Sequence, residues 1–200
     1  MTLPSTAGYA NEAPDLLKTY ETIPAEEVHR KVLHLIPKPP ARLLDIGAGT
    51  GRDAAYFASH GHRVVAVEPV DEMREGGRKL HPSPDIEWLA DSLPDLAVLR
   101  ARHETFDAVL MTAVWMHLDA MERARAMQAV APLVAPGGVL ILSLRHGPIP
   151  PGRRMFDVPA EETIAQAARE GLQCVVNTLT PSVQADRPGV TWTRLAFRRS

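Results

Sequence analysis

The sequence predicts an α/β fold: an open, mostly parallel, doubly wound sheet of seven strands with an antiparallel hairpin at its C-terminal edge. The first observation is that short, almost continuously apolar segments alternate with amphipathic ones along residues 42–170. This alternation is typical of parallel strands that helices cover on both faces. The second observation is that only a turn-rich stretch joins the last two apolar segments, near residues 173–179 and 191–198, which favours an antiparallel hairpin.

The strands and helices of the parallel part follow from these segments. The expected strands are short runs rich in leucine, isoleucine and valine, at residues 42–46, 63–68, 86–89, 106–112 and 139–144. Helices are expected between and after them, at residues 52–60, 71–80, 94–102, 120–134 and 159–170. Pro136-Gly137-Gly138 is expected to end the fourth of these helices.

An N-terminal helical cap is expected ahead of the sheet. Residues 24–36 carry apolar side chains at helical spacing, which predicts an amphipathic helix that ends before Pro37. Residues 1–10 are small and polar, so we expect them to be mobile. The length of 200 residues suits one domain, with a flexible N-terminus and cap helix over residues 1–36 and the sheet core over residues 41–200.

The composition excludes several classes of protein. The net charge of −2 gives no basic field that would attract nucleic acid, so we do not expect a nucleic-acid partner. Cys174 is the only cysteine, which excludes an internal disulfide and a cysteine-rich metal cluster, and we predict no metal site. The chain shows neither a signal-peptide pattern nor a long apolar span, so we expect a cytoplasmic, membrane-free monomer or homodimer.

A glycine-rich turn follows the first expected strand. Gly47-Ala48-Gly49-Thr50-Gly51 stands between that strand and the next helix, where open parallel sheets bind ligands. Glycines allow positive φ angles and let a ligand approach the backbone closely. The helix that begins near Arg52 adds free amide groups at its N-terminus. The turn therefore predicts a ligand site, with a tight strand-to-helix turn that binds no ligand as the alternative.

Two acidic residues favour the ligand site. Glu68 closes the second strand, within the same βαβ unit, and its carboxylate can accept hydrogen bonds from both hydroxyls of a ribose. Asp91 follows the third strand and can accept a hydrogen bond from an adenine amino group. The glycines, Glu68 and Asp91 thus fall at the ends of three successive strands, which a turn without a ligand does not explain.

Taken in order, five segments of residues 42–144 resemble the class I S-adenosylmethionine-dependent methyltransferases of the small-molecule type. The segments are Leu-Asp-Ile-Gly-Ala-Gly-Thr-Gly, Val-Val-Ala-Val-Glu-Pro, Ala-Asp-Ser-Leu-Pro, Phe-Asp-Ala-Val-Leu-Met-Thr-Ala-Val-Trp-Met-His-Leu and Leu-Val-Ala-Pro-Gly-Gly-Val-Leu-Ile-Leu. A dinucleotide dehydrogenase is the natural competitor, but its fingerprint is Gly-x-Gly-x-x-Gly and the third glycine here comes one residue early. The resemblance is specific for the superfamily and indicates little about the substrate.

The resemblance implies S-adenosylmethionine as the cofactor and a set of residues that bind it. Gly47, Ala48, Gly49 and Gly51 would lie under its methionine part, with Asp45 holding the loop. Glu68 would bind the ribose. The remaining contacts would come from Pro69 and Met73 on the adenine, from Asp91, Ser92 and Leu93 at its edge, and from Thr112 and Ala113 beside the methionine chain.

The acceptor side of the site is less defined by the sequence. His117 and His146 are candidate catalytic residues, although a histidine that binds neighbouring backbone is an equal interpretation of His117. Trp115 is a candidate for stacking on the substrate or for core packing, and Arg145 a candidate for binding an anionic group or a solvated loop residue. Tyr9 and Tyr20 lie in a stretch that resembles flexible caps of the family and are candidate substrate contacts, or anchors of a surface helix.

Three functions remain open at this point. The first is methyl transfer to an oxygen, nitrogen or sulfur atom of a small molecule, with an anionic acceptor in view of the arginines after the fifth strand. The second is methylation of RNA or protein, with docking through Arg145, Arg153, Arg154 and the terminal pair Arg198-Arg199. The third is a module that binds S-adenosylmethionine without catalysis.

Overall fold

A computed structural model describes residues 4–184 and 189–200 and places seven strands in one sheet. The strands are β1 (Arg42–Ile46), β2 (Arg63–Val67), β3 (Ile86–Leu89), β4 (Phe106–Met111), β5 (Val134–His146), β6 (Leu172–Pro181) and β7 (Thr191–Arg199). Their order across the sheet is β3-β2-β1-β4-β5-β7-β6. Strands β1 to β5 are parallel, and β7 pairs antiparallel with both β5 and β6. The predicted fold class, including the C-terminal edge hairpin, is confirmed.

Helices cover both faces of this sheet. They are α1 (Tyr9–Thr19), α2 (Ala25–His29), α3 (Arg52–Ser59), α4 (Asp71–Leu80), α5 (Ala97–Arg100), α6 (Ala120–Val130) and α7 (Ala160–Arg169). Alternate side chains of the central strands point into two apolar layers, as the period of two along a strand requires. Leu44, Val109 and Leu140 lie in one layer with α6, and Leu43, Ala108 and Ile141 lie in the other with α3.

The N-terminal cap is built differently from the prediction. The helix expected over residues 24–36 ends at His29, where the imidazole turns inward to Asp53, and a separate 3₁₀ turn follows at Leu33–Leu35. We expected residues 1–10 to be mobile, but Pro4–Thr6 forms a 3₁₀ turn and α1 begins at Tyr9. Residues 1–3 lie outside the described residues. Tertiary contacts, which no local sequence pattern reveals, thus determine where the helices of the cap begin and end.

Helix α1 lies on α4 and roofs the carboxyl edge of the sheet. Ala13 packs with Val70 and Met73, and a Cβ atom at Gly76 would overlap the side chain of Leu17. The glycine at this position therefore lets the two helices approach closely. The cap is held over the ends of β1 and β2 by apolar contacts of its own.

Three further boundaries differ from the prediction. The helix expected over residues 94–102 is reduced to α5, which Leu96 precedes in a left-handed conformation with φ of 47°. Helix α6 ends at Val130, and the chain enters β5 at Val134, so the expected stop at residues 136–138 lies inside a strand. Pairing of Val134 with Phe106, followed by a bulge, extends the strand through these glycines. Within the described ranges, no helix is long and apolar enough to cross a membrane.

Candidate cofactor and acceptor site

A cavity lies at the carboxyl ends of β1, β2 and β4, between the sheet and the cap. This is the edge where open parallel sheets bind ligands. Its walls come from the glycine-rich turn, the ends of four strands, the cap and the C-terminal hairpin. It brings together most of the residues that the sequence indicates: Tyr9, Tyr20, Asp45, Gly47, Ala48, Gly49, Glu68, Pro69, Met73, Asp91, Ser92, Leu93, Thr112, Ala113 and His117.

The glycines of the turn have different tasks. Gly49 has a φ of 58°, and a Cβ atom there would meet only the Met73 methyl group, at 3.8 Å, so its backbone lies open to the cavity. Gly51, with a φ of 81°, does not line the cavity; a Cβ atom there would lie 2.6 Å from the Trp88 ring. Gly49 therefore permits the close approach of a ligand, whereas Gly51 permits the start of α3 against Trp88.

Glu68 is buried and held by the loops around it. Its side chain has only 6% of its surface exposed. The Gly49 N–H donates to Oε2 at 2.8 Å and the Val70 N–H donates to Oε1 at 2.9 Å. Burial raises the pKa of this carboxyl group, and the two backbone hydrogen bonds oppose that shift. Each oxygen keeps lone-pair capacity for a ligand hydroxyl, in a position that the two N–H groups fix.

Asp45 presents a buried oxygen without a partner among the described residues. Its residue exposure is 2%, and no described group donates to Oδ2. Burial raises the pKa of Asp45 well above its ordinary value, the Asp53 carboxylate adds to the shift, and Arg52 opposes it. An orphaned acceptor at a cavity wall fits a cationic or hydrogen-bond-donating ligand group, which would satisfy this atom.

The adenine-side candidates also line the cavity. Met73 is 1% exposed and lines the cavity next to Gly49. The Asp91 carboxylate accepts from the Ser92 N–H and from the Leu99 N–H, both at 2.8 Å. Asp91 thus connects the loop after β3 to α5, a structural task that the sequence did not indicate.

The backbone is strained where β4 ends at the cavity. Ala113 has a φ of 58°, which a residue with a Cβ atom rarely adopts. Its N–H donates to the Ser143 hydroxyl at 2.8 Å, and Ser143 belongs to the neighbouring strand β5. The hydrogen bond holds the strained turn in place, in the manner of strained backbone at ligand sites.

His117 and Tyr9 face each other across the mouth of the cavity. The His117 Nδ1 lies 2.8 Å from the Arg154 carbonyl oxygen, which can only accept, so Nδ1 carries the proton. The Nε2 atom is therefore an acceptor, and the Tyr9 hydroxyl donates to it at 3.1 Å. Burial lowers the pKa of His117, and three nearby arginines add to this, while burial raises the pKa of Tyr9. A neutral imidazole with an inward lone pair can accept a proton once Tyr9 turns away.

The two arginines beside this pair are committed to the cap and to the loop before α6. Arg153 lies over the Tyr9 ring at 3.9 Å and pairs with Glu12 at 2.6 Å. Arg154 pairs with Asp119 and Glu122, at 2.9 Å and 2.7 Å. Of the arginines suggested for docking, Arg153 and Arg154 are therefore already paired with carboxylates, and Arg145 is buried at 7% exposure.

Three predicted acceptor-side residues lie outside the cavity. Trp115 is fully buried, and its indole N–H donates to Thr163 at 3.1 Å, so it packs in the core. Arg145 lines a second pocket, together with Met116. His146 contacts Asp157 and Thr193, at 3.0 Å and 2.9 Å. Their positions in the chain are close to the site, but their side chains point to other parts of the fold.

Several cavity residues escaped the sequence analysis. The start of α3 supplies Arg52 and Asp53, whose side chains pair at 2.7 Å, and Asp53 also binds His29 at 2.8 Å. Trp192 and Arg194 enter from β7. An arginine between a tryptophan and the apolar run Leu-Ala-Phe was a usable signal, because a buried strand seldom carries a charge without a purpose. Among the described residues no cluster of side chains suits a metal ion.

Comparison with known proteins gives a consistent result. The family model for the methyltransferase domain matches residues 44–142. An uncharacterized methyltransferase of Mycobacterium tuberculosis is 34% identical over 113 residues, which cover 53% of this chain and 40% of the relative. The ubiquinone biosynthesis O-methyltransferase of Xanthomonas campestris is 29% identical over 160 residues, covering 79% of this chain and 62% of that enzyme. The chain thus matches less than half the length of the mycobacterial relative.

Solved structures share the fold over a longer stretch. The crystal structure of Burkholderia thailandensis 1,6-didemethyltoxoflavin-N1-methyltransferase, with its substrate and S-adenosylhomocysteine bound, has a TM-score of 0.76 and 20% sequence identity. The match covers 100% of this chain and 92% of that one. The likeness extends to the cap and the C-terminal hairpin, which lie outside residues 44–142.

Proposed function

Because this chain belongs to the class I S-adenosylmethionine-dependent methyltransferases, we propose that it transfers a methyl group to an oxygen, nitrogen or sulfur atom of a small molecule. One observation carries the proposal: two buried carboxyl groups, those of Glu68 and Asp45, line the same cavity as the open backbone of Gly49. A ribose diol suits the fixed carboxylate of Glu68. The donor's ammonium group suits the orphaned Oδ2 of Asp45, so the residues present fit the cofactor.

The other donor contacts follow the walls of the cavity. Pro69 and Met73 would pack on the adenine, and Asp91, Ser92 and Leu93 would border its edge. Gly47, Ala48, Thr112 and Ala113 would border the methionine chain. The acidic side chains of this half of the cavity favour a donor with a net positive charge.

Methyl transfer needs little from the protein beyond positioning the donor and the acceptor and removing a proton from the acceptor. S-adenosylmethionine supplies, when bound, a methyl group activated by the positive sulfur. The cap, which packs on α4 through α1, would limit the access of water to the bound donor. His117 would take the acceptor's proton at Nε2, where its fixed tautomer leaves a lone pair.

The size and closure of the cavity support a small acceptor. The cap covers the site, and the arginines suggested for RNA docking are paired with acidic side chains or buried. The relatives named above include enzymes of ubiquinone and toxoflavin synthesis, whose acceptors are small molecules. A single catalytic unit over residues 1–200 is part of this proposal.

Two measurements test the proposal. Titration calorimetry with S-adenosylhomocysteine should give binding in the micromolar range, and the absence of binding would refute the function. Transfer of label from methyl-labelled S-adenosylmethionine to a metabolite extract should yield small labelled products. Tight binding without transfer to any extract, RNA or protein fraction would instead indicate a non-catalytic module.

A further inference from the structure

Strand β7 places one arginine at the wall of the cavity that the donor residues do not occupy. Arg194 pairs with Ser143 of β5, and in the preceding row Leu142 pairs with both Met111 of β4 and Leu195 of β7. Arg194 therefore stands level with the end of β4, two strands away. At the usual strand spacing this separates the Arg194 backbone from the expected site of the methionine chain by about 10 Å.

The guanidinium of Arg194 is buried and has no anionic partner in residues 4–184 and 189–200. Only 7% of the residue is exposed, and it lines the cavity. Its one recorded contact within those residues is with the Trp192 ring, 5.4 Å from the ring centre. Arg52, the other arginine of the cavity, differs because two of its nitrogens bind Asp53 at 2.7 Å.

A buried cation without a partner is unfavourable unless a ligand supplies the counter-charge. Taking a charged group out of water is costly in proteins, and an ion pair or hydrogen bonds must offset that cost. Burial lowers the pKa of Arg194 to about 10, so the group stays protonated at neutral pH. The Asp53 carboxylate acts on it through space, but its two oxygens are already bound by His29 and Arg52.

We propose that Arg194 binds a carboxylate of the methyl acceptor, and that the acceptor is therefore a small organic acid with an apolar or aromatic body. The inference rests on the proposed function and defines its substrate class. A single guanidinium binds a singly charged carboxylate with two parallel hydrogen bonds. The Asp53 carboxylate, which acts on Arg194 through space, disfavours a doubly charged phosphate, for which one cation is too little.

The surroundings of Arg194 suit the body of such an acid. Trp192 lies beside the guanidinium and lines the same wall. Val28 and Ile23 of the cap region and Val183 of the hairpin add apolar surface. An aromatic or branched acid would contact these side chains while its carboxylate reaches Arg194 and its nucleophilic atom points toward the donor.

Benzoate and benzamide, which share a shape and differ in charge, test the proposal with the full chain saturated with S-adenosylhomocysteine. We expect the wild type to bind benzoate at least about tenfold more tightly than benzamide, by calorimetry and tryptophan fluorescence, since a charge-assisted hydrogen bond is worth that much. R194M should lose the preference, and R198M, an exposed substitution on the same strand, should keep it. R194Q serves as a second variant in case R194M does not fold, and thermal unfolding of each variant reports its folding.

Two outcomes overturn the proposal. One is an equal benzoate preference in the wild type and the Arg194 variants, or none in the wild type. The other is that Arg194 binds the carboxylate of the methyl donor instead. R194M would then weaken the binding of S-adenosylhomocysteine about tenfold and leave the binding of 5′-methylthioadenosine, which lacks that carboxylate, unchanged. Failure of the wild type to bind S-adenosylhomocysteine refutes the proposed function instead, and the benzoate titration repeated without it still tests the arginine site.

Discussion

Replacing Glu68 with alanine should weaken the binding of S-adenosylhomocysteine by about 5- to 150-fold. The carboxylate is buried, and its two oxygens each hold one backbone N–H, at 2.8 Å and 2.9 Å. The capacity left on each oxygen is what the ribose hydroxyls would use. Loss of hydrogen bonds to a buried charged group costs about 1–3 kcal/mol, which converts to the range given. Titration calorimetry measures the affinity, and E72A is the matched control, because Glu72 is exposed on α4.

A second ligand separates loss of the ribose contact from general damage to the loop. The same substitution leaves the N–H groups of Gly49 and Val70 without their acceptor, so part of the loss can come from a displaced loop. In the wild type, 5′-methylthioadenosine should bind more tightly than its 2′,3′-dideoxy analogue. In E68A the two should bind alike. An undiminished difference between the two ligands in E68A would show that Glu68 does not bind the ribose.

Three other substitutions test separate parts of the site. H117Q should lower kcat about 10²- to 10⁴-fold without changing the affinity for S-adenosylhomocysteine. Because burial lowers the pKa of His117, the wild-type kcat should fall only at pH values below the range in which a histidine ordinarily titrates. A kcat that does not depend on pH would contradict the role of His117 as a base. G49A and G137A each place a side chain on a left-handed backbone, which costs about 1–2 kcal/mol of stability. Only G49A should weaken the binding of S-adenosylhomocysteine. Equal effects of the two substitutions on this affinity would contradict a close approach of the ligand to the Gly49 backbone. H29A should destabilise the fold by about 3 kcal/mol in urea at neutral pH by removing one partner of the buried Asp53. The pKa of Asp53 is lowered in the fold, so its contribution is present above the unfolded carboxyl pKa and lost as pH falls, and a difference that does not shrink in acid would contradict this origin.

The donor half of the cavity could be predicted from the sequence because its signals are local. Gly49, Glu68 and Asp91 each stand at the end of a strand with a recognisable apolar pattern, and parallel strands bring their carboxyl ends to one edge. No contact between distant segments needs to be known for this part of the site.

The acceptor half could not be predicted in the same way. His117 meets Tyr9 across 108 positions of chain, and Arg194 reaches the cavity through the pairing of β7 with β5. Trp115 was a candidate substrate contact because it lies two residues before His117, but its side chain points into the core toward Thr163. Short sequence distance locates a loop, but the direction of each side chain in an irregular loop depends on what packs against it.

The walls of the cavity come from different parts of the chain, and the family model matches only some of these parts. The donor wall lies between Asp45 and Ala113, within the residues 44–142 that the family model matches. Other lining residues, among them Tyr9 and Arg194, come from the cap and the hairpin, which lie outside that range. Substitutions at those two ends can redirect the protein to a new acceptor while the methyl donor is retained. Proteins that resemble this chain only over the central segment therefore share the methyl donor and need not share the methyl acceptor.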